Sequence, residues 1–404
     1  MNSVSLGCTI AKLRKKNNMT QLQLAEKLHI SDKAVSKWEN GAGYPEISMI
    51  PTLAEVFGVS IDYLFKGETR GIAIAGNFLV DILNILDKYP AANMLTNITN
   101  IENAVGGCVP NTIIDIAKID PDIFLSAIGK VGNDEHGRFL ISTIKKYGID
   151  TSGIKIDENT NTSFTNVMSA TDTGTRTFFH FRGANKTFGI DDVDVDSLDC
   201  KIFHAGYILL LDALDEPDDE FGTKMARLLA KVSQKGIKTS IDVVSEEGNR
   251  FKEKIIPALK YCDYAIMNEI ESCGVTGLSP RNSDDTINID NIRKTMLHFL
   301  ELGVREKVII HCSEAGFIAD KNGEFTMVPS LELPKGYIKG STGAGDAFAA
   351  ASLYGIYKEW DNKKILEFAS GAAACNSSAA DSVSGMKSAS EIEKLIKRYP
   401  RKKL

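Results

Sequence analysis

At 404 residues, 43% of them hydrophobic and a quarter charged, the chain exceeds one ordinary core and is no disordered polymer, so two or more domains are expected. No run of about 18 apolar residues occurs, and no basic cluster opens onto an apolar stretch at the start, so neither a membrane span nor a secretory leader is expected. The net charge of −6 is uneven: residues 1–70 carry +2 and residues 71–404 carry −8, so contact with a polyanion falls to the N-terminal part.

Residues 1–68 show helical periodicity in short pieces, the pattern of a small bundle. Ile10 and Leu13 lead into the basic run Arg14-Lys15-Lys16, and Asn17-Asn18 closes this first helix. Thr20 caps a second helix carrying Leu22, Leu24, Ala25 and Leu28. The turn His29-Ile30-Ser31 enters a third helix with Val35 and Trp38 inward, stopped by Asn40-Gly41. A fourth follows Pro45-Glu46 with Ile50, Leu53, Ala54 and Phe57, and a last turn runs through Ile61 and Leu64.

Two short helices across a tight turn are the geometry that lays a recognition helix in the major groove. Thr20-Gln21-x-x-Leu24-Ala25, then Ser31-x-x-Ala34-Val35-Ser36-x-Trp38-Glu39-Asn40-Gly41 and Pro45, resemble the Xre/Cro-like repressor family over residues 6–67. The resemblance implies that Gln21 binds a phosphate and that Lys33, Ala34, Ser36 and Lys37 face the bases or backbone of duplex DNA. It also implies a homodimer reading two half-sites. Taken singly, the same polar residues suit the solvated face of a small bundle equally well.

Beyond the polar joint Lys66-Gly67-Glu68-Thr69-Arg70 the pattern changes, which places a boundary at 68/69 and domains at 1–68 and 69–404. Strand-like runs at Gly71–Asn77, Ile123–Ile128, Ile202–Ala205, Thr239–Val244, Tyr264–Met267 and Val308–Cys312 alternate with helical stretches at Phe139–Tyr147, Gly222–Lys235 and Asn291–Leu302. Such alternation signals a parallel sheet covered by helices on both faces. Ser163–Ala170 and Thr175–Arg182, around Asp172-Thr173-Gly174, read as a β-hairpin, either a lid or an edge decoration. Seven scattered cysteines with no Cys-x-x-Cys pair read as reduced thiols of a cytoplasmic protein rather than a disulfide or zinc framework.

The strongest local signal is Gly340-Ser341-Thr342-Gly343-Ala344-Gly345-Asp346-Ala347-Phe348. A glycine-rich turn entering a helix presents backbone N–H groups at the positive end of the dipole, which suits a phosphoryl group. Asp346 then stands in the first helical turn, where it can take a proton from an attacking hydroxyl. Alone, it could equally be an acid that merely complements the dipole.

Gly343-Ala344-Gly345-Asp346-x-Phe348 resembles the signature of the ribokinase-like (PfkB) carbohydrate kinases, and further motifs of that family follow in order over about residues 70–395. The resemblance implies an α/β ribokinase-like domain with a mostly parallel central sheet flanked by helices and a small β lid, joined to an all-α helix-turn-helix domain. It implies catalysis by Asp346 with Gly343, Ala344 and Gly345 as the anion hole. Asp81, after Gly76-Asn77, matches the ligand of a substrate hydroxyl. Gly106-Gly107-Cys108-Val109-Pro110-Asn111 matches the family's Gly-Gly-x-x-x-Asn, with Gly106, Gly107 and Asn111 toward a polyol.

The run from Gly129 to Gly137 matches a structural segment of the family, and Gly174-Thr175-Arg176-Thr177 with Gly183-Ala184-Asn185 matches its lid and the strand after it. Asn268 and Glu271 fit an Asn-x-x-Glu that organises Mg²⁺ and phosphates through water, Asn268 also suiting a helix N-cap. Ser313 and Gly316 fall in the nucleotide-side loop, beside Gly343 and Gly345, although the family commonly has Gly where Ser313 stands. Gly340 replaces the Asp that helps hold a monovalent cation in the family, which puts that cation in doubt.

The expected activity is ATP-dependent phosphotransfer to a hydroxyl of a sugar or nucleoside-like molecule, joined to sequence-specific DNA binding. The rival reading is a DNA-binding regulator whose second domain senses such a ligand without turning it over. A third treats the helical domain as a protein-interaction module.

Overall fold

The computed structural model describes residues 3–17, 19–59, 61–66, 71–245 and 250–404. The chain divides into two compact units, residues 1–70 and 71–404. The 68/69 joint expected from the sequence, and Asn18, lie outside the described residues.

The first unit has five helices among its described residues: α1 (Ser3–Lys16), α2 (Gln21–Leu28), α3 (Asp32–Glu39), α4 (Ile50–Phe57) and α5 (Ile61–Lys66). Thr20 caps α2 in a reciprocal box with Gln23, and α2 ends at His29 in the left-handed region (φ 55°). Ser31 then caps α3 by accepting from the Ala34 N–H, so α2 and α3 meet across three residues. Their inner faces join Leu6, Ile10 and Leu13 with Leu24, Leu28, Val35, Trp38, Leu53, Phe57 and Leu64 in one core. Leu22, read as part of the apolar stripe, is 56% exposed. Leu24, Ala25 and Leu28 share a face, and a residue two positions before Leu24 falls on the other side.

The second unit comprises β1 (Gly71–Gly76), β2 (Leu79–Leu86), β3 (Ile98–Gly106), α6 (Cys108–Ile119), β4 (Leu125–Gly132), α7 (Glu135–Lys145), β5 (Asp150–Asp157), β6 (Phe164–Ala170) and β7 (Arg176–Phe181). It continues through β8 (Cys200–Ile208), α8 (Asp212–Asp215), β9 (Pro217–Asp218), β10 (Gly222–Thr223), α9 (Lys224–Gln234), β11 (Lys238–Val243), α10 (Phe251–Leu259), β12 (Tyr264–Asn268), α11 (Glu269–Thr276) and α12 (Ile289–Glu301). Last come β13 (Lys307–His311), β14 (Ala315–Asp320), β15 (Phe325–Pro329), α13 (Ala344–Tyr357), α14 (Asn362–Asn376) and α15 (Ala389–Arg398).

Nine strands form one sheet in the order β15-β14-β13-β12-β11-β8-β1-β4-β5, parallel except for the antiparallel pairs β13-β14 and β14-β15. Alternate residues of β1 feed two cores: Ile72 and Ile74 pack with α6, α13 and α14, while Ala73 and Ala75 pack with α9, α10 and α12. That continuous apolar character is what a strand covered on both faces requires. A second sheet, β3-β2-β6-β7, contains the expected hairpin, with Gly174 at φ 68° in its turn. Asp81 lies inside β2 of this sheet. Gly183–Thr187, read with a strand after the lid, is a 3₁₀ turn. Among the described residues, no helix is long and apolar enough to cross a membrane.

Candidate active site

The C-terminal ends of parallel strands are where an α/β sheet leaves a crevice, because chains departing in opposite directions part there. Here a cavity of about 230 Å³ opens at the ends of β8, β11, β12 and β13, against the start of α13. Tyr207, Asp242, Asn268, Glu271, His311, Gly343, Gly345 and Asp346 line it.

Gly343 is the N-cap of α13 in the left-handed region (φ 75°), and a Cβ there would stand 2.6 Å from the Ser382 carbonyl oxygen. Only glycine lets the turn pass so close to the segment beneath it. The helix therefore starts at the cavity wall, and its first N–H groups lack partners within the helix by geometry. Asp346 follows in the first turn, 6% exposed. Asn111 Nδ2 donates to its Oδ2 at 2.9 Å, and the Tyr207 hydroxyl donates to Oδ1 at 2.9 Å and Oδ2 at 3.1 Å. Burial and the nearby charge of Asp242 raise its pKa to about 7, against these hydrogen bonds, which lower it. The carboxyl is thus poised between acid and base near neutrality.

The other residues marked in the sequence divide by position. A Cβ on Gly106 would meet Asp81 Oδ2 at 2.4 Å, so the glycine turn and the β2 carboxyl are in direct apposition. Burial lifts Asp81 to about 7. Asn111 uses both ends of its amide: it donates to Asp346 and accepts from the Ser382 hydroxyl at 2.8 Å. Asp81, Thr165 and His180 stand opposite one another across β2, β6 and β7, and Arg176 shares their face four residues before His180. Arg176 Nη1 donates to Thr342 Oγ1 at 3.5 Å, linking the hairpin to the glycine-rich turn.

On the opposite wall Asn268 caps α11, its Oδ1 accepting from the N–H groups of Ile270 and Glu271. Glu271 answers by accepting from the Asn268 N–H at 2.9 Å and from the Ser245 hydroxyl at 2.8 Å. Burial raises Glu271 to about 8. A buried carboxylate whose partners are neutral donors, facing a cavity with other oxygen ligands, suits a hard divalent cation met through water.

Ser313 is exposed beside a tight turn, and Gly316 lies within β14, opposite His311 and Val328. A Cβ at Gly316 would strike Phe348 of α13 at 2.9 Å, and neither Ser313 nor Gly316 is among the residues that line this cavity. Gly340 sits against the carbonyls of Ala379 and Ala380, each 3.0 Å from where its Cβ would be. Gly340 itself brings no carboxylate to this position.

Sequence reading missed Tyr207, Asp242 and His311. Asp242 carried a signal, as a carboxylate inside the apolar run Ile241-Asp242-Val243. Tyr207 carried none, since its partner is 139 residues away. In the first unit, Lys33 and Lys37 are exposed on α3, while Ala34 and Ser36 are half-buried. Gln21, read as a phosphate ligand, donates to Glu39 Oε2 at 2.7 Å, and Glu39 also takes a bidentate pair from Arg14. In this conformation Gln21 braces the bundle.

The family described as pfkB family carbohydrate kinase matches residues 72–388, and a helix-turn-helix family matches residues 10–64. A 5-dehydro-2-deoxygluconokinase of Clostridium perfringens is 28% identical over 293 residues, 69% of this chain and 80% of that protein. The HTH-type transcriptional activator BcrR of Enterococcus faecalis is 46% identical over 59 residues, 15% of this chain and 29% of that protein. A ribokinase of Thermotoga maritima shares the fold with a TM-score of 0.66 at 20% identity, over 81% of this chain and 99% of the other. An Arabidopsis thaliana ribokinase complexed with ribose and ATP gives 0.66 at 19%, with the same coverages.

Proposed function

The chain belongs to the pfkB family of carbohydrate kinases and carries a helix-turn-helix domain ahead of the kinase; from that premise we propose that it phosphorylates a hydroxyl of a sugar or sugar acid and binds duplex DNA in response. The observation that carries the kinase reading is Asp346, oriented by Asn111 and Tyr207 at the start of α13 and facing the cavity.

In this reading Asp346 in its ionised form accepts the proton of the attacking hydroxyl. A bond forms from that oxygen to the γ-phosphorus of ATP, and the bond to the bridging β-γ oxygen breaks. The amides around Gly343–Gly345 stabilise the charge on the transferring oxygens. Asp81, Gly106, Gly107 and Asn111 hold substrate hydroxyls, and the hairpin bearing Arg176 excludes water. Asn268 and Glu271 would hold Mg²⁺ through water, and Mg²⁺ bound with ATP neutralises phosphate charge.

An acidic sugar is favoured because Arg176 stands on the face that also carries Asp81, and because relatives include 5-dehydro-2-deoxygluconokinases. Free thiols throughout and the need for ATP support a cytoplasmic setting. For DNA, exposed Lys33 and Lys37 on α3 support groove contact, and a homodimer would match two half-sites.

Two measurements test this. ATP consumption with a panel of neutral sugars, sugar acids and nucleosides should single out one class; no turnover with any of them, despite ligand binding, would leave a sensor instead. Binding to genomic DNA fragments should fall with rising salt and be lost in Lys33→Ala/Lys37→Ala; salt-independent binding would point to a protein partner.

A further inference from the structure

Behind the cavity, three side chains from separate elements converge. Cys108 opens α6, His204 lies in β8 and Asp242 in β11, and all three are buried, His204 completely. Cys108 Sγ is 3.4 Å from Asp242 Oδ2 and 3.7 Å from His204 Nε2, and that nitrogen is 3.5 Å from Asp242 Oδ2. For metal–ligand bonds of about 2.0–2.3 Å at tetrahedral angles, the edges between S, N and O donors come to about 3.4–3.6 Å. The observed edges agree to within about 0.2 Å, the tolerance a real site shows. Without an ion the thiol donates to Asp242 at an ordinary sulfur distance, but the 3.5 Å between His204 Nε2 and Asp242 Oδ2 is long for an N–H···O bond.

The remaining atoms of the three residues are arranged as supports. The other imidazole nitrogen, Nδ1, is 3.0 Å from Ser240 Oγ, which directs Nε2 at the cluster. Asp242 keeps its second oxygen on the Tyr207 N–H at 2.6 Å, leaving Oδ2 for the cluster. Gly206 gives the thiol its room, since a Cβ there would overlap Cys108 Sγ at 1.8 Å.

We propose that Cys108, His204 and Asp242 form a binding site for a soft divalent cation, with Zn²⁺ as the ion it fits. Thiolate and imidazole select zinc over the hard Mg²⁺ of the nucleotide. A thiolate, a carboxylate and a divalent cation sum to zero charge, the condition under which such groups tolerate full burial. Binding replaces the S–H bond by an S–metal bond and releases one proton to solvent. Asp242 lines the cavity, which provides the route of entry. The ion would tie the glycine turn that begins α6 to β8 and β11, directly behind Asp346.

The test uses the full chain freed of metal by a chelator and titrated with Co²⁺. A thiolate-to-cobalt charge-transfer band should grow to saturation at one equivalent, collapse on adding Zn²⁺, and be absent in Cys108→Ala. It should persist in Cys8→Ser and Cys312→Ser, the cysteines nearest solvent. Ser240→Ala should keep the band but weaken Zn²⁺ binding by about 10–100-fold. A wild-type protein without the band, or a band that survives in Cys108→Ala, overturns the site. Should Cys108→Ala not fold, the wild-type band together with unchanged Zn²⁺ affinity in Ser240→Ala would also overturn it.

Discussion

Asp346 is held between opposing influences, and Tyr207 is the piece most open to test. Its hydroxyl donates to both carboxylate oxygens and favours the ionised form, while burial and Asp242 favour the protonated one. A base must be ionised to act, so kcat/KM should rise with pH through about 7. Tyr207→Phe removes a donor to the charged form, so the rising limb should move to higher pH, with a loss of about 5-fold at pH 7 for the first unit moved. A profile that stays in place in Tyr207→Phe would detach the phenol from the carboxyl. Asp346, Asn268 and Glu271 were legible because each sits in a short motif that opens a helix, where capping chemistry restricts residue types. Tyr207 and His311 reach the same cavity from the ends of β8 and β13, and adjacency across strands leaves no mark in local order.

At the scale of elements, α13 depends on its first residue. Gly343 combines a left-handed backbone with close passage over Ser382. Gly343→Ala should destabilise the kinase unit by about 1–3 kcal/mol and lower turnover more than it weakens sugar binding. Equal loss of both, or none, would mean the turn does not position the anion hole; calorimetry and steady-state kinetics separate these outcomes. Strands β1, β8, β11, β12 and β13 were visible as apolar runs because burial on both faces leaves no polar alternation. β13 ends in a tight turn, so Gly316 has already entered β14, where a Cβ would strike Phe348. Leu22 misled because an apolar residue counts toward a helical stripe only if it falls on the buried face.

For the whole molecule, buried carboxyls give stability a definite pH sense. Burial lifts Asp215 to about 6, Asp81 and Asp346 to about 7 and Glu271 to about 8, whereas unfolded carboxyls titrate near ~4. The folded state binds these protons more tightly, so their contribution is complete below pH ~4 and is lost as pH rises through about 6 to 8. Glu314 runs the other way: the side-chain hydrogen bond from Arg281 lowers it to about 2, a contribution lost only in acid. The unfolding temperature of the ligand-free kinase unit should therefore fall between pH 5 and pH 8. A flat or rising trend across that window would show that these carboxyls do not hold protons in the folded state.

Asp346→Asn tests the account most directly, because it keeps the shape of the side chain and removes its ability to accept a proton. With the substrate found in the panel, turnover should fall by about 10²–10⁴-fold while ATP binding, read by calorimetry, is retained. Turnover equal to that of the wild type would contradict the assignment of Asp346 as the base.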